Sequence, residues 1–191
     1  MGRQLTTAIS DGVLALTCYR LVLYLMIPSI YAGLGFAIQA VAATVGVLRF
    51  ASDRPSNTVV RWHDYSSWFA AVAGMPLIAV AFCKYVLPYM MNFNFMASMG
   101  LILMNGAMDT NMQKLSKQAV SGFAMLTILL SCFYSANVYG FVAAALYVVA
   151  APITGLDGNI HIGRYNIPRL DAFHYVLVAA NLLFFKALYR F

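Results

Sequence analysis

The chain contains no glutamate, and its 191 residues include only six aspartates and twelve basic residues, four Lys and eight Arg. Charged residues make up 9% of it, against roughly 25% in a soluble domain. So little charge cannot cover a solvated surface, and most of the surface must face lipid. Cysteine is sparse too. Cys18, Cys83 and Cys132 lie far apart inside apolar runs with no CxxC pair, which excludes a disulfide framework and reads as buried, inert thiols. Catalytic signatures are missing: there is no GxSxG elbow, no Walker loop, no GxGxxG after a strand, no HExxH and no Cys/His haem attachment. Of the three histidines only His174 lies near a span, so a b-type haem held between helices is not expected, and neither is any other cofactor. A net charge of +6 points to nucleic acid in a soluble protein, but these cations stand singly between apolar runs. They read as topology determinants and interfacial anchors, and no nucleic-acid partner is expected.

Apolar sequence is what remains, at 62% of residues and a mean hydropathy of +0.77. The start, Met1-Gly-Arg-Gln-Leu-Thr-Thr, leads into a first apolar run without a small-residue cleavage site, which predicts a retained span and not a removed signal. It also fits the loose MGxxx[ST] acylation pattern, redundant next to a span. A crossing needs about 20 apolar residues, and the hydropathy predicts an all-α transmembrane bundle of about seven spans in one domain, 1–191. The spans are placed at about 7–27, 29–50, 67–87, 93–108, 118–136, 138–153 and 170–188. The sixth is the shortest, reached through a tight turn at Asn137. Gly74-Met75-Pro76 should kink the third, since proline removes a backbone donor and its ring crowds the preceding turn.

With seven spans, one face carries Arg3, Arg49, Arg54, Arg61, Lys114, Lys117, Arg164 and Arg169. The other carries Arg20, Lys84, Lys186 and Arg190, so the first face, with the N-terminus, is expected on the cytosolic or matrix side. All six acids (Asp11, Asp53, Asp64, Asp109, Asp157, Asp171) and all three histidines (His63, His161, His174) fall on that same face. Any proton transfer, metal binding or headgroup chemistry is expected there.

Asp171 and His174 share a helical face at i, i+3, and with His63, His161 and Asp157 they form the candidate metal or catalytic group. The plainer reading has Asp171 capping the last helix and His174 at the interface. Asp11, one turn into the first span, either caps together with Ser10 a helix that begins later or serves as a functional carboxylate. Arg20, nine residues on, lies on the opposite face and snorkels outward instead of pairing with it. Asn105 and Asp109, at i, i+4 on a face of the fourth helix toward the inner loop, make Asp109 a further catalytic candidate near the same pocket. Gln39 and Asn181 sit mid-span, where amides hydrogen-bond between helices by default.

Three stretches carry a resemblance. Trp68-Phe-Ala70-Ala-Val72-Ala-Gly74-Met-Pro76-Leu77 is similar to a W-x-A-x-V-x-G-x-P-L helix, Ala136-Asn137-Val-Tyr139-Gly140 to an A-N-x-Y-G turn, and Gln39-Ala-Val-Ala42-Ala43-Thr44 to a Q-x-x-A-A-T segment. Together they resemble a small family of multi-pass animal transmembrane proteins with no established activity. The resemblance implies fold and topology, adds no catalytic residue, and marks Gly74, Pro76, Asn137, Tyr139 and Gly140 as architectural. The loops, with their histidines, diverge from it. For want of any catalytic motif, the favoured expectation is a non-enzymatic accessory or assembly subunit of a larger membrane complex. A lipid-modifying enzyme or lipid transporter using the Asp/His group comes second, and a small channel or carrier third. Membrane lipids and other integral membrane proteins are the expected partners. The endoplasmic reticulum or another endomembrane is the expected address, with the mitochondrial inner membrane second.

Overall fold

In hydrocarbon a helix satisfies its own backbone N–H and C=O groups, so apolar runs of this length fold as helices. The computed structural model describes residues 4–154, 158–162 and 165–189. Its elements are α1 (Leu5–Leu25), α2 (Ile30–Ala51), α3 (Asn57–Phe69), a π-helical turn (Ala70–Gly74), α4 (Met75–Cys83), α5 (Pro88–Met104), a 3-10 turn (Asn105–Ala107), α6 (Thr110–Tyr134), α7 (Val138–Thr154), β1 (Asn159–Ile162), β2 (Tyr165–Pro168) and α8 (Arg169–Leu188). α3, the π turn and α4 run on as one rod, so the described residues make seven rods. Five of them, Leu5–Leu25, Ile30–Ala51, Asn57–Cys83, Thr110–Tyr134 and Arg169–Leu188, are long and apolar enough to cross a membrane. The other two, α5 and α7, have 17 residues each, about 26 Å at 1.5 Å per residue, short of a hydrocarbon core of roughly 30 Å.

The rods close into a ring: α1 packs on α2 and α8, α2 on α4, α4 on α6, α6 on α7, and α7 on α8, with α5 outside against α4 and α6. Close approach is bought by small residues. The buried face of α2 reads Ala32, Gly33, Gly35, Phe36, Gln39, Ala40, Ala42, Ala43, Gly46, a stripe that lets backbones touch. A Cβ on Gly35 would stand 2.7 Å from the Gly74 carbonyl, so α2 and the π turn meet backbone to backbone. Phe36, Ile78, Phe82, Ile128 and Phe184 fill the space between the rods.

Several boundaries differ from expectation for identifiable reasons. The third rod begins ten residues before its apolar stretch, because the Ser56 hydroxyl caps α3 by accepting from the Val59 N–H and a polar first half follows. Hydropathy reports what lies in lipid, and helices continue past it. At Pro76 the rod does not break: the wide π turn immediately before it absorbs the missing donor and the ring. Pro88 opens α5 at its first position, where its fixed φ suits a helix start. Asn105 and Asp109 do not share a helix, since Met108 is extended and separates the 3-10 turn from α6. The Gly- and Asn-containing connection before α8 includes a two-stranded antiparallel hairpin, with Ile160 opposite Ile167 and Asn159 opposite Pro168.

The Asn137 turn is built in detail. Ala136 takes φ +50°, the left-handed position after a helix end. The Asn137 N–H bonds the Cys132 carbonyl at 2.8 Å and the Ala136 N–H the Phe133 carbonyl at 3.2 Å, the paired pattern that closes the end of α6. The Asn137 side chain then caps α7, accepting from the Gly140 N–H at 3.1 Å, and donates to the Ala187 carbonyl at the end of α8 at 3.2 Å. A Cβ on Gly140 would collide with the Cys132 sulfur and crowd Phe82, and the Lys186 ammonium lies 4.3 Å over the Tyr139 ring.

Candidate functional site

Helix α1 begins at Leu5, so Ser10 and Asp11 lie inside it and cap nothing. Both are buried, Asp11 with 2% of its surface exposed. The start of α8 comes against them. Its cap position is Pro168, which leaves Asp171 in the first turn, where a carboxylate favours the helix dipole but closes no cap. Asp171 and His174 are buried on one face, as their spacing anticipates.

The two helices place four polar side chains in contact. Ser10 Oγ lies 3.0 Å from His174 Nδ1, 3.4 Å from Asp171 Oδ1 and 3.0 Å from the Thr7 carbonyl. His174 Nε2 lies 3.4 Å from Asp11 Oδ1. The other Asp11 oxygen is buried and has no hydrogen-bond partner. It points at Gly46 of α2, where any Cβ would overlap the carboxylate. The order is hydroxyl, imidazole, carboxylate, with a second carboxylate beside the hydroxyl. One imidazolium neutralises one of two carboxylates, so the group carries either a surplus negative charge or a proton on a carboxyl. Isolated charge in hydrocarbon costs about 3 kcal/mol on insertion scales.

A second polar group sits deeper. Asn181 of α8 donates to Gln39 Oε1 of α2 at 3.0 Å and to Cys18 Sγ of α1 at 3.3 Å. Tyr147 of α7 donates to Asn181 Oδ1 at 2.6 Å and lies 3.3 Å from Gln39 Oε1. The Gln39 amide N–H reaches Met75 Sδ at 2.9 Å. Five rods are joined through these neutral groups, and none of their side-chain nitrogens and oxygens is left both buried and unpartnered.

The remaining candidates lie elsewhere. His63 Nδ1 is 2.8 Å from the Arg49 guanidinium, which also pairs with Asp64 at 2.6 Å. A cation on that nitrogen is a poor neighbour for a metal. Asp109 is the exposed cap of α6, accepting from the Asn111 and Met112 N–H groups at 2.9 and 2.8 Å. Its hydrogen bonds among the described residues are spent on its own helix, and it does not join Asp171 and His174. His161 is paired opposite Asn166 in the hairpin, its side chain outside the described residues, as is Asp157. Among the described residues no three His, Cys, Asp or Glu side chains cluster in a way that could hold a metal ion.

No family model, curated protein or solved structure matches this chain. The functional reading therefore rests on the geometry. Sequence reasoning reached Asp11, Asp171, His174, Gln39 and Asn181 as polar residues in apolar runs, but took Ser10 only as a capping partner and passed over Gly46 and Tyr147. Ser10 and Tyr147 gain meaning from helices 164 and 34 residues away in sequence. Gly46 carried one available signal, its place in the small-residue stripe of α2.

Proposed function

We propose that this multi-pass membrane protein is a small proton-coupled carrier, working through the Asp11–His174–Ser10–Asp171 group. The observation that supports this reading is the buried carboxylate–imidazole contact with one Asp11 oxygen left unpartnered. Ionisable groups inside a membrane bundle mark proton relays and substrate pathways by default. Here the same contacts serve two proton arrangements. With the proton on His174 Nε2, Nδ1 accepts from Ser10. With it on Nδ1, the imidazole donates to Ser10, which then donates to Asp171 or the Thr7 carbonyl. A proton shift along this chain changes which of α1 and α8 holds the charge, and so how tightly the two helices bind.

Infrared difference spectra of the reconstituted protein, taken between acid and neutral buffer, test the proton. A protonated-carboxyl band that titrates in the wild type and changes in Asp11→Asn and Asp171→Asn supports the reading. A band insensitive to pH or to both substitutions defeats it.

The hydroxyl–imidazole–carboxylate order favours a second reading, a lipid hydrolase or acyl transferase with Ser10 as nucleophile and His174 as base. Labelling of Ser10 by a fluorophosphonate in bilayers, abolished in His174→Ala, distinguishes it from the carrier. The accessory-subunit reading needs a stoichiometric partner retained in mild detergent. Isolation as a lone monomer counts against it.

A further inference from the structure

Along the exposed side of α1, from Val13 to Tyr24, a groove of about 540 Å³ opens on the surface between α1 and α8. Leu16, Thr17, Arg20 and Tyr24 line it from α1, and Leu182 and Phe185 from α8. The Tyr24 and Phe185 rings, with centroids 5.7 Å apart, wall its far end. Leu16 and Leu182 are 72% and 51% exposed, an apolar track running from Arg20 toward the middle of the bilayer. Arg20 itself is exposed and makes no ion pair among the described residues. Among the described residues no carboxylate pairs with it: Asp11 and Asp171 belong to the other end, and Asp11 lies on the opposite face of α1. A cation with no countercharge among the described residues, at the head of an apolar track on a lipid-facing surface, has the form of an amphiphile site.

We propose that this groove holds one anionic phospholipid of the adjacent leaflet, with its phosphate on the Arg20 guanidinium and an acyl chain along Leu16 and Leu182. The planar guanidinium fork matches two phosphate oxygens, which a lysine ammonium does not reproduce. The Tyr24 ring, beside Arg20 in the groove, is amphipathic and suited to headgroup depth. Charge complementarity names the occupant: a zwitterionic lipid brings its own cation and neutralises Arg20 less well. The site is distinct from the proton site, since Arg20 lies nine residues, about 14 Å of helix rise, beyond Asp11.

Native mass spectrometry of delipidated protein, titrated with phosphatidylglycerol or phosphatidylcholine of matched chains, tests it. The expected result is one retained phosphatidylglycerol per chain, weakened about tenfold in Arg20→Gln and only partly recovered in Arg20→Lys. Glycerophosphate, a phosphate monoester at least as negatively charged as the lipid but with no acyl chain, should not displace it. Equal retention of both lipids, or retention unchanged in Arg20→Gln, overturns the proposal and leaves Arg20 an ordinary interfacial anchor. Displacement by glycerophosphate also overturns it, in favour of a free-phosphate site. Because Arg20 is exposed, Arg20→Gln should fold, and an unchanged melting temperature in detergent verifies that the loss is one of binding.

Discussion

The two polar groups of the bundle are built on opposite terms. The deeper one is neutral and closed: Cys18, Gln39, Met75, Tyr147 and Asn181 exchange hydrogen bonds among five rods, with no buried nitrogen or oxygen left over. The one at the start of α1 and α8 is ionisable and incomplete, with two carboxylates to one imidazole and an Asp11 oxygen facing Gly46 unpartnered. A fully satisfied network specifies one packing, whereas a partly satisfied one keeps a second proton arrangement within reach. The contrast separates a group that holds the bundle from a group that can change state inside it.

The sharpest way to break that contrast is to damage each group and compare stability with function. Asn181→Leu removes the donor to Gln39 and Cys18 and the acceptor of Tyr147. With interhelical hydrogen bonds in membranes averaging about 0.6 kcal/mol each, the loss of three should cost about 2 kcal/mol, read as a lower melting temperature in detergent. The proton-dependent infrared band should survive in whatever fraction remains folded. A band lost together with the fold would mean that the two groups are one unit.

Gly46→Ala carries the next largest effect and strikes the interface between packing and charge. The new methyl lands on the Asp11 carboxylate, so either α2 moves away from α1 or Asp11 leaves His174. Overpacking of this kind costs about 1–3 kcal/mol, and the infrared signature of Asp11 should shift with it. Full stability with an unshifted band would show that Asp11 has room the structure does not give it.

Asp11→Asn should separate the two properties most cleanly, because it should leave stability intact. Removing one member of a buried ion pair costs about 3–5 kcal/mol, whereas exchanging a carboxyl that carries the site's proton for its neutral isostere breaks no charged pair. The expected outcome is an unchanged melting temperature with proton exchange lost. A fall comparable to Asn181→Leu would place Asp11 among the structural groups.

How much of this the sequence disclosed follows the same division. Composition and hydropathy disclosed the helical class and the apolar rods, because lipid exposure is a property of each residue by itself. The polarity of the bundle was legible too, since alternating loops sort charges by arithmetic, and Asp11, Asp64, Asp171, His63 and His174 are found at the end that carries the N-terminus. The extent of the third rod was not, because the polar first half of α3 is held by a cap and by packing that hydropathy does not see. The site itself was half legible. Each ionisable residue stood out from its apolar run, but only the packing of α8 on α1 brings Ser10 to His174. Asn105 and Asp109 show the converse: their i, i+4 spacing suggested a shared face, and the extended Met108 between them removed it.

The smallest expected effect concerns Asp109, which the sequence offered as a candidate for the same pocket as Asp171 and His174. Its side chain is exposed and accepts two backbone N–H bonds at the start of α6, so its work is local. Asp109→Ala should cost about 1 kcal/mol or less, as caps do, and Asp109→Asn or Asp109→Ser should recover most of it because either can cap. Proton exchange should be untouched in all three. That sets Asp109 against Asp171: both lie at the start of a helix on the same end of the bundle, yet one faces water and serves the backbone, while the other faces Ser10 inside the fold. If Asp109→Ala altered the proton signal as Asp171→Asn does, position along a helix and not burial would be deciding function, and the distinction between the two polar groups would have to be redrawn on electrostatic reach.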